Sequence, residues 1–248
     1  MNPLIEIRDL HVAYGDTHVL RGIDLRVEAG EIVVILGGSG CGKSTLLKSI
    51  IGLAPVHEGR IDLLGQPLDQ LDEKAARALL QRIGVMFQYG ALMNSLSVAE
   101  NIALPLEMHT DLPAELIDGV VRTLLHLVGI GHAYSQLPAE LSGGMRKRAA
   151  LARSLALNPQ ILFCDEPGAG LDPVTAAEID RLLLMLNQSL GTTLVIVTHE
   201  LLSIDRLDGR LIMLDEGQVA FTGRLDQARV SELPLVRGFF NPNATAQP

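Results

Sequence analysis

The nine residues GGSGCGKST, positions 37–45, limit what this chain can fold into more than any other stretch. They follow EIVVIL at 31–36, apolar after its first residue, and they open KSTLLKSIIGL, where Leu46, Leu47, Ile50 and Ile51 share one helical face. A buried strand that turns through glycines into an amphipathic helix is the setting of a phosphate-binding loop, and the spacing fits G-x-x-x-x-G-K-[ST]. Gly37, Gly40 and Gly42 let the backbone curl so that successive N–H groups face one anion. Lys43 adds a point charge and Ser44 a hydroxyl oxygen for magnesium.

The rest of the chain is read around that loop. LIEIRDLHVAY and THVLRGIDLRVEAG are β-type runs broken at Tyr14-Gly15 and Ala29-Gly30, which predicts antiparallel strands in the first sixty-odd residues. GVMFQ, ILFCDEP and TTLVIVTH are three further candidates for buried strands, each ending in a polar residue. Between the first and second lie SVAENIALPLE, LPAELIDGVVRTLLHLVGI and LSGGMRKRAALARSLALNP, all of helical period, so a helical lobe is expected inside an α/β core. The tail PLVRGFFNPNATAQP admits two readings: Phe239 and Phe240 pack on the body, or the segment docks another subunit.

Composition removes several functions. A length of 248 residues suits one α/β unit with an inserted lobe. Lys plus Arg number 20 and Asp plus Glu 29, a net charge of −9, which argues against a nucleic-acid partner and against adhesion to anionic lipid by charge alone. No run approaches the roughly 18–20 apolar residues of a membrane span, and MNPLIEIRDL carries no signal-peptide pattern, so a cytosolic chain is expected. Hydrophobic residues still make up 48%, which hints at apolar surface covered by another chain. Two cysteines, Cys41 and Cys164, form neither a disulfide framework nor a zinc site. Cys41 opens a helix, so it is either a reactive thiolate or an inert thiol shielded by its loop.

Chemistry gathers at three more places. In ILFCDEP, Asp165 at the carboxyl end of a strand can hold magnesium, and Glu166 can deprotonate a water for in-line attack on a γ-phosphate. His199, closing TTLVIVTH, either donates to that phosphate or is a structural strand-end histidine. Ser142, Gly143 and Gly144 open a second helix with anion-binding potential. Arg146, Lys147 and Arg148 follow at once, and positive charge in a first helical turn opposes the helix dipole, so an anion is expected nearby.

GGSGCGKST, the Gln88 of VMFQ, LSGGM, ILFCDEP, the GLD of Gly170 to Asp172 and the His199 of VTHE occur in the order seen in ATP-binding-cassette (ABC) ATPases, which the chain resembles over nearly its whole length. The resemblance implies an α/β P-loop NTPase core with an N-terminal antiparallel β subdomain and an inserted helical subdomain. It implies one domain over residues 4–240, the helical subdomain at about 93–157, and a short tail at 241–248. ATP and Mg²⁺ are the implied ligands. Gly37, Gly38, Ser39, Gly40, Cys41, Gly42, Lys43, Ser44 and Thr45 would cradle the phosphates, Tyr14 would stack on adenine, and Ser44, Gln88 and Asp165 would serve the metal. Glu166 and His199 would be catalytic. Ser142, Gly143 and Gly144 would cap the γ-phosphate held by a second copy, with Arg146 to Arg148 near the same anion and Asp172 crossing the interface of a head-to-tail dimer. Met145 departs from the glutamine that usually ends the signature.

FQYGALMNSLSVAENIALPLEMHT, with LSGGM and DEPGAGLDP, is similar to the ATPases of the Mla phospholipid, or toluene-tolerance, transporters. That likeness implies phospholipid cargo, a peripheral place on the inner membrane, an integral membrane permease dimer, a lipid-binding subunit on the periplasmic side and a small regulatory subunit. The alternative is a cassette ATPase that meets no permease, such as the iron-sulfur assembly type. Coiled-coil DNA-repair cassettes are disfavoured, because no sustained heptad run occurs.

Overall fold

The structure is a computed structural model that describes residues 3–240. In chain order it begins with strands Ile5–Tyr14 (β1), Thr17–Val27 (β2) and Ile32–Gly37 (β3), helix Lys43–Ile50 (α1), strands Glu58–Leu63 (β4) and Gln66–Pro67 (β5), and helix Glu73–Leu80 (α2). Next come strand Ile83–Met86 (β6), helices Val98–His109 (α3), Ala114–Leu127 (α4) and Gly143–Ser154 (α5), strand Ile161–Asp165 (β7) and helix Pro173–Leu190 (α6). Thr193–Val197 (β8), Leu201–Leu207 (α7), Arg210–Asp215 (β9), Gln218–Gly223 (β10), Leu225–Arg229 (α8) and Pro234–Phe240 (α9) complete it. The chain divides into two compact units, one made of everything up to Leu79 together with everything from Thr193 onward, the other spanning Leu80–Thr192.

In the first unit, β1 pairs antiparallel with β2 and with β4, as the alternating runs require. Ile5, Ile7, Leu10 and Val12 point inward. A bulge around Asp9, at φ 47°, lets the alternation slip by one residue between Ile7 and Leu10 without turning the apolar set outward. A second layer has β3 between β8 and β9, parallel to both, with Val34 opposite Ile196 on one side and Leu211 on the other. A strand covered on both faces needs no alternation, which accounts for IVVIL. Helix α1 is only eight residues long, too short to persist alone, and Leu46, Leu47 and Ile50 hold it down. Each contributes roughly 1.5–3 kcal/mol by leaving water. Phe239 and Phe240, in α9, are half-buried and meet edge-on, with centroids 5.1 Å apart; the tail expected at 241–248 lies outside the described residues.

In the second unit β6 and β7 pair in parallel, Val85 opposite Phe163. Three helices, α3, α4 and α5, supply the lobe expected from the helical periods. Helix α3 starts on a capping box: the Ser97 hydroxyl accepts from the Glu100 N–H, and the Glu100 carboxylate accepts from the Ser97 N–H. One turn later Asn101, fully buried, accepts from the Met93 N–H at 2.7 Å and donates to the carbonyls of Met93, Leu96 and Ser97 at 2.9–3.0 Å. That one side chain pins the loop leading into the helix. Among the described residues no helix is long and apolar enough to cross a membrane.

Asn101→Ala removes the acceptor of the Met93 N–H and a donor to three carbonyls in a part-buried loop. It is expected to lower unfolding free energy by roughly 1–3 kcal/mol in a urea titration. A midpoint equal to wild type would mean that water satisfies the loop unaided.

Candidate nucleotide site

The phosphate loop occupies the turn from β3 into α1, inside the first unit. Gly37 has φ 144° and Gly42 φ 106°, and a Cβ would stand 2.2 Å from the Leu214 carbonyl oxygen at the first and 2.6 Å from Leu20 Cδ2 at the second. Only glycine fits at either place. Gly42 caps α1 with no side-chain bond, so the helix opens on N–H groups left for a ligand. The Lys43 ammonium closes over the loop, donating to the carbonyls of Gly37 at 2.9 Å and Gly38 at 2.8 Å. A phosphate is a stronger acceptor than either carbonyl, so an incoming anion has a charge ready to be exchanged onto it. Ser44 is exposed at the same helix end. Cys41 is buried, with Sγ 3.8 Å from Lys43 Nζ, and of its two sequence readings this matches the shielded thiol. Tyr14, at the end of β1, is half-exposed, and His199, just past β8, is exposed.

The second unit carries the other group of expected residues. Asp165 ends β7, and Glu166 follows, buried, with φ 48°. A non-glycine residue holds that left-handed conformation only where its surroundings impose it. Gln88 lies just beyond β6, half-buried. Cys164, fully buried between them in sequence, has its thiol pushed up to about 12 by burial, partly offset by the charge of Lys147; it is chemically inert at neutral pH.

Ser142 caps α5, its hydroxyl accepting from the Met145 N–H at 3.2 Å. The basic triplet behind it has partners within the chain. Arg146 donates to the Leu141 carbonyl, Lys147 to those of Gln88 and Glu166, and Arg148 to that of Val128 and to the Glu178 carboxylate. Their side chains reach backbone oxygens of neighbouring loops, which offsets the dipole penalty that made an anion seem necessary. Arg153, one and a half turns on, donates to the carbonyls of Gly90 and Ala91. The roles of Lys147 and Arg153 were missed from sequence; cations interspersed with the small and apolar residues Ala149, Ala150, Leu151 and Ala152 of one helix were the available signal.

Asp172 caps α6. Its carboxylate accepts from the N–H groups of Val174 and Thr175 and from the Thr175 hydroxyl. That hydroxyl first, then the N–H groups, holds its carboxyl below the ordinary range. The sign follows: the cap is in place at neutral pH and is lost only as pH falls through the lowered value. Thr175 also explains a signature glycine. A Cβ on Gly144 would sit 2.6 Å from Thr175 Cγ2, so α5 and α6 approach too closely for alanine.

Gly144→Ala is therefore expected to destabilise by roughly 1–3 kcal/mol through overpacking, more than the roughly 0.5–1 kcal/mol that alanine returns in a helix. Adding Thr175→Ser removes the offending methyl and keeps the hydroxyl, and most of the loss should be regained in denaturant midpoints. A single variant as stable as wild type would show that crowding is not why glycine stands there.

Residues 20–169, more than half of the chain, match the ABC transporter family. The chain is 38% identical over 241 residues to the probable ribonucleotide transport ATP-binding protein mkl of Mycobacterium leprae (strain TN), covering 97% of this chain and 70% of that one. It is 39% identical over 242 residues to the methionine import ATP-binding protein MetN of Brucella abortus (strain 2308), covering 98% of this chain but only 63% of the relative. Among solved structures, the dimeric post-hydrolysis state of the ATP-binding cassette MJ0796 bound to ADP and Pi superposes with a TM-score of 0.82 at 31% identity, over 89% of this chain and 98% of that one. CbiO1 from Clostridium perfringens, part of the ABC transporter complex cbiONQ, gives 0.84 at 32%, over 98% of both. Cassettes of this kind form dimers and work with membrane permeases. With a phosphate loop of the required geometry in one unit and the signature helix in the other, the chain belongs to the ABC transporter family and is an ATP-hydrolysing cassette coupled to transport.

Proposed function

We propose that this cassette powers phospholipid transport between the inner and outer membranes of a bacterium, from the cytoplasmic face of the inner membrane and beneath an integral membrane permease dimer. The observation that carries the reading is the residue text around the signature: Met145 closes LSGGM where the wider family has glutamine, in company with FQYGALMNSLSVAENIALPLEMHT and DEPGAGLDP. Tyr89, 89% exposed immediately after Gln88, supports a permease partner, since a large aromatic left bare on the surface is suited to cover by another chain.

In this reading two copies assemble head to tail, and each ATP is gripped by the phosphate loop of one and by Ser142, Gly143 and Gly144 of the other. Gly37 through Thr45 wrap the phosphates, Lys43 moves its charge from loop carbonyls to phosphate, and Tyr14 stacks on adenine. Ser44, Asp165 and Gln88 offer hydroxyl, carboxylate and amide oxygens, the hard donor set that Mg²⁺ accepts together with phosphate oxygens. The metal, when bound, neutralises charge on the β- and γ-phosphates. Glu166 takes a proton from water as its oxygen bonds to the γ-phosphorus and the bond to ADP breaks in line. His199 donates to the γ-phosphate, and Asp172, from its cap on α6, helps position the opposite site. A periplasmic-side lipid-binding subunit and a small regulatory subunit complete the assembly.

A second reading has specific support: the relatives named for ribonucleotide transport and methionine import are 38% and 39% identical across nearly the whole chain, which favours a small polar solute as cargo. Purifying the native complex from membranes and identifying its companion chains and extractable lipid separates the two. Phospholipid in near-stoichiometric amount beside a permease is the expected result; a solute-binding companion with no lipid would overturn the phospholipid assignment.

For the chemical step, Glu166→Gln should retain ATP binding, trap the closed dimer and lower phosphate release by roughly 10²–10⁴-fold, the usual worth of a general base. Turnover near the wild-type rate would rule Glu166 out.

A further inference from the structure

We propose that Lys147 is a positioning residue that ties the Gln88 loop to the backbone of the catalytic base. This rests on the reading of Glu166 given above and extends it. Lys147 is 7% exposed, on the second turn of α5, and its ammonium donates to the Gln88 carbonyl at 2.5 Å and to the Glu166 carbonyl at 2.8 Å. Sinking an ammonium into a protein is expensive unless its protons are used. Packing alone would be served as well by leucine or methionine.

What the ammonium holds is informative. Glu166 sits at φ 48°, and its carbonyl belongs to the peptide bond into Pro167, which has no N–H to share in local pairing. The Ala169 N–H reaches the same carbonyl at 3.2 Å, a neutral and longer bond. A charge-assisted bond is roughly twice as strong as a neutral one, so Lys147 is the firmer of these two holds on the peptide plane that aims the Glu166 side chain. The other carbonyl belongs to Gln88, at the head of a segment where Gly90 and Ala91 both take positive φ and both give their carbonyls to Arg153. Helix α5 thus grips that loop at two points six residues apart on the helix. Only the Lys147 grip also reaches Glu166. A shift of the loop, as when a permease presses on Tyr89, moves the shared ammonium and with it the base.

The test uses the cassette purified with its native permease. Lys147→Met keeps length and burial but removes all three donors, and Lys147→Gln restores two of them without charge. With Met, kcat should fall about 10²-fold, the cost of misplacing a reacting group by about 1 Å. KM for ATP should stay close to wild type, while the melting temperature falls by several degrees as two carbonyls lose their charged donor. Gln should recover most of that loss. In a Glu166→Gln background, Lys147→Met should add almost nothing, because it acts through a base already removed. Wild-type kcat in the Met variant overturns the proposal, as does parallel loss of kcat and ATP affinity in both variants. Failure of both to fold assigns Lys147 to the fold alone and overturns it equally. If Glu166→Gln itself turns over normally, the base assignment fails instead, a result distinguishable from all of these.

Discussion

Loops give up backbone carbonyls that no ladder or helix satisfies, and in the second unit one helix answers that demand. Cations of α5 donate to the carbonyls of Gln88, Gly90, Ala91, Val128, Leu141 and Glu166. A buried carbonyl without a partner costs on the order of 1–3 kcal/mol, so these bonds decide which loop conformations are tolerated. Positive φ at Ala91 and Glu166 is part of what they support. The helix of the signature segment is therefore the frame on which the loops of this unit are hung.

The first unit works on a different principle. Its phosphate loop is shaped by exclusion, since Gly37 and Gly42 lie where any Cβ would strike Leu214 or Leu20. Parallel pairing of β3 with β8 and β9 brings the loop and His199 to the carboxyl ends of their strands, the edge at which open α/β sheets bind ligands. Lys43, folded onto its own loop, keeps the cradle compact with its charge still available. Shape thus comes from the sheet, and charge from one side chain.

A cassette of this kind does no transport chemistry of its own. Within one unit Tyr89 is exposed, while Lys147 is buried and bonded to the Glu166 carbonyl. Relatives named for ribonucleotide transport and for methionine import resemble this chain almost equally, at 38% and 39% identity.

Much was legible in the residues alone. GGSGCGKST, the apolar run of β3, the alternation of β1 and β2 and the helical periods after residue 97 each carry their signal within a dozen neighbours, because hydrogen-bond pattern and side-chain period are local properties. The basic triplet was legible too, but its purpose was not: Arg146, Lys147 and Arg148 read as a seat for an anion, while their partners lie as many as 59 residues away in sequence. Gly144 reads in the sequence as a phosphate residue, and its crowding by Thr175 of another helix is a second demand that the sequence does not display. Local geometry and chemistry were determined by the sequence itself. Which oxygen each cation would find was decided only by tertiary structure, because a side chain several ångströms long samples partners that nothing but the packing of distant segments brings within reach.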